Sequence, residues 1–320
     1  MIFIGLDVSK KSIDVCIKHN DGYIYQKINN EVNSIKSFVK KLLSDYRKED
    51  LFACCEYTNI YHLDIANELY RSGIKISVEN AASINYFARA QLSRIKTDKS
   101  DSKLIADYCS ITKPHLWQPV DQDIRVVRNI TKRIEQMQKM QTMAKNQHKT
   151  ASAEVINSCN ETVNFFKNHI AELEKQLEEF ILSRPQLLDR RQLLLTIPSV
   201  GKKTANILLT VFAQIEKFKN SKRLVSYLGL SPMIRQSGTS VRGKTRISKM
   251  GDSFLRKTLY MPALVACNSC RDLKDFKQRY LDRGKSKKQA IVVMMRKIVV
   301  WAYSVISSGK PFDISKINFN

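Results

Sequence analysis

Four acidic residues stand out by where they fall. Asp7 follows the apolar run Ile2-Phe3-Ile4-Gly5-Leu6, and Glu56 closes the run Leu51-Phe52-Ala53-Cys54-Cys55. Asp98 and Asp101 open a helical pattern that continues through Leu104, Ile105 and Tyr108. Residues three apart on a helix share a face, so these two point the same way. A carboxylate at the end of a buried strand is costly unless a positive group meets it, and like charges on one helix face repel. The four together therefore call for a cation. Hard divalent ions, Mg²⁺ first and Mn²⁺ as the substitute, take oxygen ligands. A pair of such ions about 4 Å apart activates an attacking oxygen and stabilises the leaving one in phosphoryl transfer. Each acid alone is an ordinary cap or surface group; the set is what points to chemistry.

The elements that must hold these acids read as α/β over residues 1–120. Ile2-Phe3-Ile4 and the alternating Ser12-Ile13-Asp14-Val15-Cys16-Ile17 are strands, and Asn20-Asp21-Gly22 makes a hairpin turn before Tyr23-Ile24-Tyr25. Asn33 to Leu43 has helical spacing, Leu51 to Cys55 suits a central strand, and a helix over Ile60 to Arg71 stops at Ser72-Gly73. Ile74, Ile76 and Val78 then alternate as a further strand.

From about Asp121 to Leu182 there is no Gly or Pro, and apolar residues keep a three-four rhythm from Val127 to Ala144 and from Val163 to Phe180. This predicts two long helices, a helical hairpin or coiled coil over 121–184, with the bend at Asn157-Ser158-Cys159-Asn160. Such a pair exposes its apolar stripe, so a homo-dimer or homo-tetramer is expected. Residues 185–320 read as mainly α. Leu193 to Ala205 gives helix, tight turn, helix, in the manner of a helix-hairpin-helix motif. Free N–H groups at the start of the second helix, with Lys202 and Lys203 beside them, suit a DNA phosphate. The stretch from Arg235 to Gly251 carries Arg235, Arg242, Lys244, Arg246 and Lys249 and no acid, and is expected as a phosphate-binding loop. Phe254 to Leu264 and Ala290 to Ile306 are expected as packing helices.

Bulk composition narrows the partner. The chain has 320 residues, 43% of them hydrophobic, enough for a large core. Lys and Arg number 54 against 30 Asp and Glu, a net charge of +24, which favours a polyanion and above all nucleic acid. A membrane-surface protein is disfavoured, because no lipidation signal and no single basic amphipathic helix carries the excess. No apolar run is expected to reach the ~18 residues that span a bilayer. Seven cysteines, an odd number without a secretory leader, argue against a disulfide framework and for the cytoplasm, in association with the nucleoid. Cys267-Asn-Ser-Cys270 has zinc-knuckle spacing but lacks a second pair, so buried thiols on a helix are the expectation.

GLDVSKKSIDV around Asp7, CCEYT around Glu56 and KTDKSDSKLIADY around Asp98 and Asp101 resemble the Asp-Glu-Asp-Asp pattern of DEDD insertion-sequence transposases of the IS110 type. LLLTIPSVGKKTA, Tyr227-Leu-Gly-Leu-Ser-Pro232 and QSGTSVRGKTRISKMGDSFLRKTLY resemble that family's second domain, so the likeness covers nearly the whole chain. It implies an RNase H-like, RuvC-like catalytic domain over 1–120, a helical linker and oligomerisation module over 121–184, and a transposase domain over 185–320. Asp7, Glu56, Asp98 and Asp101 would bind Mg²⁺. Ser237 in Gln236-Ser237-Gly238 would be the nucleophile, with Ser240 ranked behind it. The family likeness further implies a structured guide RNA from the same element that pairs with donor and target DNA, and an active site built from two subunits. Chemically, a serine needs a base or a metal to attack at neutral pH, and Gly238 lets the backbone pass close to a phosphate.

Three other readings compete. A RuvC-like Holliday-junction resolvase needs only the four acids and leaves the long basic C-terminal part without a task. A sugar kinase or actin-like ATPase shares the Gly-x-Asp-x-Ser start but needs a second Asp-Gly-rich phosphate loop, which is absent. A non-catalytic nucleic-acid binder accounts for the charge alone. The expected function is a site-specific, RNA-guided DNA transposase or recombinase.

Overall fold

Alternation of apolar side chains builds the first sheet. Five strands, β1 (Ile2–Val8), β2 (Ser12–His19), β3 (Gly22–Asn29), β4 (Leu51–Glu56) and β5 (Lys75–Glu79), lie in the order β3-β2-β1-β4-β5. The β1–β2 and β2–β3 pairs are antiparallel, and the β1–β4 and β4–β5 pairs are parallel. The computed structural model describes residues 1–20, 22–92, 97–213, 215, 218–233, 236–237, 241–242, 246–251, 253–269 and 271–316. The chain divides into two compact units, residues 1–119 and 120–320.

In the first unit, Ile4, Leu6, Ile13, Val15 and Ile17 point to one face, where α1 (Val32–Asp45) and α2 (Leu63–Arg71) cover them with Ile35, Phe38, Leu42, Ile65 and Leu69. The opposite face carries Phe52 and Cys54, packed by Ile84 of α3 (Ala81–Ala90) and by Ile105 and Cys109 of α4 (Asp98–Thr112). Gly5 decides how near α4 comes. A β-carbon there would overlap the carbonyl oxygen of Ser102 and the backbone nitrogen of Ala106, so only glycine lets α4 lie on β1.

The second unit is helical apart from a short ribbon. It comprises α5 (Gln122–Lys149), α6 (Ile156–Leu182), α7 (Pro185–Leu195), α8 (Lys202–Phe212), α9 (Ser221–Tyr227), α10 (Ser253–Ser269), α11 (Arg271–Asp282) and α12 (Lys287–Ser308). At 28 and 27 residues, α5 and α6 are each about 40 Å long. Their connection is 150–155, earlier than expected. Ser152 accepts hydrogen bonds from the N–H groups of Val155 and Ile156, which starts α6 ahead of Asn157; Asn157 to Asn160 are helical. The base of the pair, through Ile124, Val127, Ile134, Leu177 and Ile181, shares one core with Leu194, Phe212, Met294 and Val299. Further out, Met140, Met143 and Phe165 are exposed.

Arg191 of α7 is buried and forks onto Glu178 of α6 at 2.6 and 3.0 Å, tying the two helices. One helix among the described residues, α12, is long and apolar enough to cross a membrane, contrary to the expectation of none. Its run is interrupted by Arg296 and Lys297, which hid it from a search for uninterrupted apolar residues. Half of it is buried within the protein, with Met294, Ile298, Val299 and Ala302 in the core, as expected of a packing helix.

Candidate active site

The strand register assembles a row of charges on the face covered by α4. Lys27 on β3 pairs with Asp14 on β2, and Asp14 pairs with Asp7 on β1. Leu6 pairs with Cys55, which brings Glu56, the next residue on β4, beside Asp7, and Glu56 pairs with Glu79 on β5. Because side chains alternate along a strand, Lys27, Asp14, Asp7, Glu56 and Glu79 project to the same side.

The first turn of α4 adds two more acids. Thr97 accepts a hydrogen bond from the Ser100 N–H at 3.1 Å, and Ser100 Oγ accepts one from the Thr97 N–H at 2.7 Å, a reciprocal cap that fixes where the helix begins. Asp98 and Asp101 sit in that turn, where the positive end of the helix dipole favours carboxylates. The contact of Ser102 with Gly5 brings this turn down onto β1.

The result is legible in the electrostatics of Asp7. Its carboxyl is pushed from the ordinary 3.8 up to about 6, first by burial and then by the charges of Asp101, Asp98, Asp14 and Glu56, in that order. All three of the other expected acids thus act on Asp7, joined by one the sequence reading passed over. Lys27 partly balances the excess: its ammonium is 3.0 Å from Asp14 and 3.6 Å from Asp98. Glu79, at the far end of the row, accepts hydrogen bonds from Ser77 at 2.8 Å and Tyr108 at 3.2 Å.

No three His, Cys, Asp or Glu side chains among the described residues converge into a ready-made metal cage. Lys27 lies between Asp14 and Asp98 as their counter-charge. The donor set fits a hard divalent cation: every nearby ligand is a carboxylate oxygen, and Asp98 is 70% exposed and has room to turn inward.

In the second unit the stretch expected as a loop forms a ribbon. Strand β6 (Pro232–Met233) pairs with β9 (Arg246–Ile247), and β7 (Gln236–Ser237) pairs with β8 (Val241–Arg242). Ser237 lies opposite Val241, at the end of the inner ladder next to 238–240. Arg246 and Lys249 are exposed. Arg235, Ser240 and Lys244 lie outside the described residues, as does Cys270. The ribbon's base is clamped by hydrogen bonds from Ser248 N–H to Ser231 O at 2.9 Å and from Lys249 N–H to Gly229 O at 3.2 Å. A β-carbon on Gly251 would overlap the carbonyl oxygen of Tyr227, so the Tyr227 to Pro232 motif holds this clamp.

With this geometry in hand, comparison with known proteins is decisive. Residues 4–156 match the DEDD transposase model of the IS110 type, and residues 191–281 match the transposase IS116/IS110/IS902 family. The chain is 31% identical, over 97% of both lengths, to the pilin gene-inverting protein of Moraxella lacunata, and equally to that of Moraxella bovis. The chain belongs to the IS116/IS110/IS902 transposase family. It is a DNA recombination enzyme. A more distant relative is the insertion element IS110 uncharacterized 43.6 kDa protein of Streptomyces coelicolor, 26% identical over 44% of this chain and 34% of its own.

Elsewhere in the transposase, the lysines expected at a phosphate are already engaged. The two expected helices are α7 and α8, and Ser199 between them has φ +67°. Lys202 pairs with Glu178 at 3.3 Å, sharing it with Arg191, and Lys203 donates to Gln138 at 2.6 Å. Three residues of the transposase's charged row, Asp14, Lys27 and Glu79, were missed. The signal for the first two was in the sequence: with the hairpin turn expected at Asn20-Asp21-Gly22, pairing of His19 with Gly22 sets Lys27 opposite Asp14.

Proposed function

We propose that this chain is a divalent-cation-dependent, site-specific DNA transposase or recombinase that cuts through Asp7, Glu56, Asp98 and Asp101 and transfers strands through Ser237. The observation that carries the reading is the gathering of Asp101, Asp98, Asp14 and Glu56 around a half-buried Asp7, whose carboxyl is pushed up to about 6 by burial first and by these charges next. The sheet order β3-β2-β1-β4-β5, antiparallel then parallel, is the arrangement expected of an RNase H-like fold. Coverage of 97% of relatives named for inverting a gene supports site-specific exchange.

Bound Mg²⁺, or Mn²⁺ in its place, would supply Lewis-acid activation of the attacking oxygen and of the leaving oxygen at the scissile phosphate. The chain's own residues do the rest. Asp7 and Glu56, fixed at neighbouring strand ends, form the rigid side of the site. Asp98 and Asp101 form the adjustable side, and Asp98 leaves Lys27 as it turns inward. Ser237 attacks the phosphorus: its Oγ loses a proton, an Oγ–P ester forms, and the strand's bridging oxygen departs as a hydroxyl. Attack by the hydroxyl of a second DNA end reverses those bonds, frees the serine and joins the strands without an external energy source.

A structured guide RNA of the element, pairing with donor and target DNA, is proposed from the family likeness, and the net charge of +24 supports a second polyanion alongside DNA. Homo-dimers or homo-tetramers are proposed from exposed Met140, Met143 and Phe165 on the outer half of the α5–α6 pair. The working place is the nucleoid. Full-length protein, the transcribed flanking RNA and matching donor and target DNA in Mg²⁺ should give recombinant product and a covalent protein–DNA adduct. Ser237→Ala should lose both. Strand cutting without an adduct in either protein would point to a resolvase instead.

A further inference from the structure

Beside the carboxylates, α4 and β3 run in matched steps. Lys99 holds its ammonium over the ring of Tyr25 at 4.4 Å, and Lys103 holds its own over Tyr23 at 4.4 Å. One helical turn further, Asp107 binds Lys18 at 2.7 Å and the Tyr23 hydroxyl at 2.9 Å. Two residues beyond Tyr25 on β3, Lys27 meets Asp98, the residue just before Lys99. The helix repeat of four residues is about 6 Å, and two strand residues advance about 6.6 Å, so the two elements stay in phase.

We infer that the Lys99–Lys103 flank of α4, floored by Tyr25 and Tyr23, is a track along which one strand of DNA leads into the carboxylate site. The inference rests on the reading of that site as a DNA-cutting centre. An ordinary solvated lysine face would pair with the acids beside it, and Asp107 stands at the helical spacing to take Lys103. Asp107 is instead committed to Lys18 and Tyr23. No ion pair to Lys99 or Lys103 occurs among the described residues; each ammonium rests on an aromatic face.

The rings are themselves placed, Tyr23 held by Asp107 and Tyr25 seated opposite Cys16 in the β2–β3 ladder, and they lie 24° from parallel with centroids 6.4 Å apart. The floor is thus preorganised, and the two ammonium groups keep donors for anionic oxygens. Their repeat of one helical turn is comparable with the spacing of successive phosphates on a strand. The track is one helix and one edge strand wide, which suits a single strand. Its end at Asp98 places a linkage beside Asp7.

The test is fluorescence anisotropy of a short labelled single-stranded DNA with full-length protein in EDTA, across a salt series. The proteins are wild type, Lys99→Gln/Lys103→Gln and Lys99→Arg/Lys103→Arg. The glutamine pair should raise Kd about tenfold and make the slope of log affinity against log salt shallower by about 1.4, at ~0.7 per lost phosphate contact. The arginine pair should restore both, with an unchanged melting temperature in all three. An unchanged slope for the glutamine pair overturns the track, and so does a larger loss on RNA of the same sequence than on DNA. A parallel Mg²⁺ cleavage assay keeps the two readings apart. A wild type that never cuts, with the slope change intact, refutes the cutting centre and leaves the track standing; cutting with an unchanged slope does the reverse.

Discussion

The backbone of Ser102 on α4 rests directly on Gly5 of β1, with no room for a methyl group between them. Asp101, next to Ser102, is thereby brought against Asp7, two residues along the strand, and is the charge that acts on it most.

Gly5→Ala should therefore lift α4 from the sheet. Overpacking of this kind costs about 1–3 kcal/mol, and a urea titration should show the midpoint fall accordingly. DNA cutting at a temperature where the variant remains folded should drop much further, since Asp98 and Asp101 move with the helix. Normal cutting in a stable Gly5→Ala protein would separate the site from this contact.

The raised carboxyl of Asp7 sets a pH dependence. With a folded value of about 6 against an ordinary 3.8, the fold favours protonated Asp7. Stability from this group is complete below pH ~4 and is lost as pH rises through about 6. In EDTA the melting temperature of wild type relative to Asp7→Asn should fall between about pH 4 and pH 6 and level off above that. Added Mg²⁺ favours the ionised form, so its stabilising effect should be larger above pH 6 than below. A difference curve flat in pH would contradict the electrostatic account.

Lys27 bridges Asp14 and Asp98, at 3.0 and 3.6 Å. Lys27→Met should lower the melting temperature in EDTA, because the carboxylates lose their only described ammonium bridge. It should also raise Mg²⁺ affinity several-fold in calorimetry, because the cation no longer competes with an ammonium group. Weaker Mg²⁺ binding would assign Lys27 a different part.

In the second unit, Glu178→Ala strands the guanidinium of Arg191, whose side chain is only 4% exposed. Breaking a fully buried pair costs about 3–5 kcal/mol; Glu178 keeps some water, so about 2–3 is expected. The Arg191 hydrogen bond holds the Glu178 carboxyl below its ordinary range, so this contribution fades as the solution is acidified. Chemical denaturation at two pH values checks both statements.

How much of this was readable without coordinates follows from range. The strand carrying Asp7, the strand ending at Glu56 and the capped helix start at Asp98 are local patterns of period 2 and 3.6, and the structure has all three. Closure of Gly5 on Ser102 spans 97 residues (102 − 5) and leaves no local trace beyond a glycine in a strand. Lys202 and Lys203 looked free because Glu178 and Gln138 approach them only after α5, α6 and α8 pack. The α5–α6 bend was misplaced because Asn157 to Asn160 lose nothing as exposed helix, while Ser152 starts the helix through its carbonyl. Ser237 was singled out by family likeness, and the backbone adds only that it closes a two-residue ladder.

Asp7 is the hub on which the four other charges converge, so its substitution is the sharpest probe. Single-turnover cutting of element-end DNA by Asp7→Asn in Mg²⁺, with anisotropy on the same DNA, is the measurement. Loss of cutting by at least about a thousandfold with Kd within about twofold of wild type is the predicted result, since the isosteric amide keeps the fold and removes only the carboxylate proposed to hold the metal. Cutting by Asp7→Asn at the wild-type rate would contradict the carboxylate site outright.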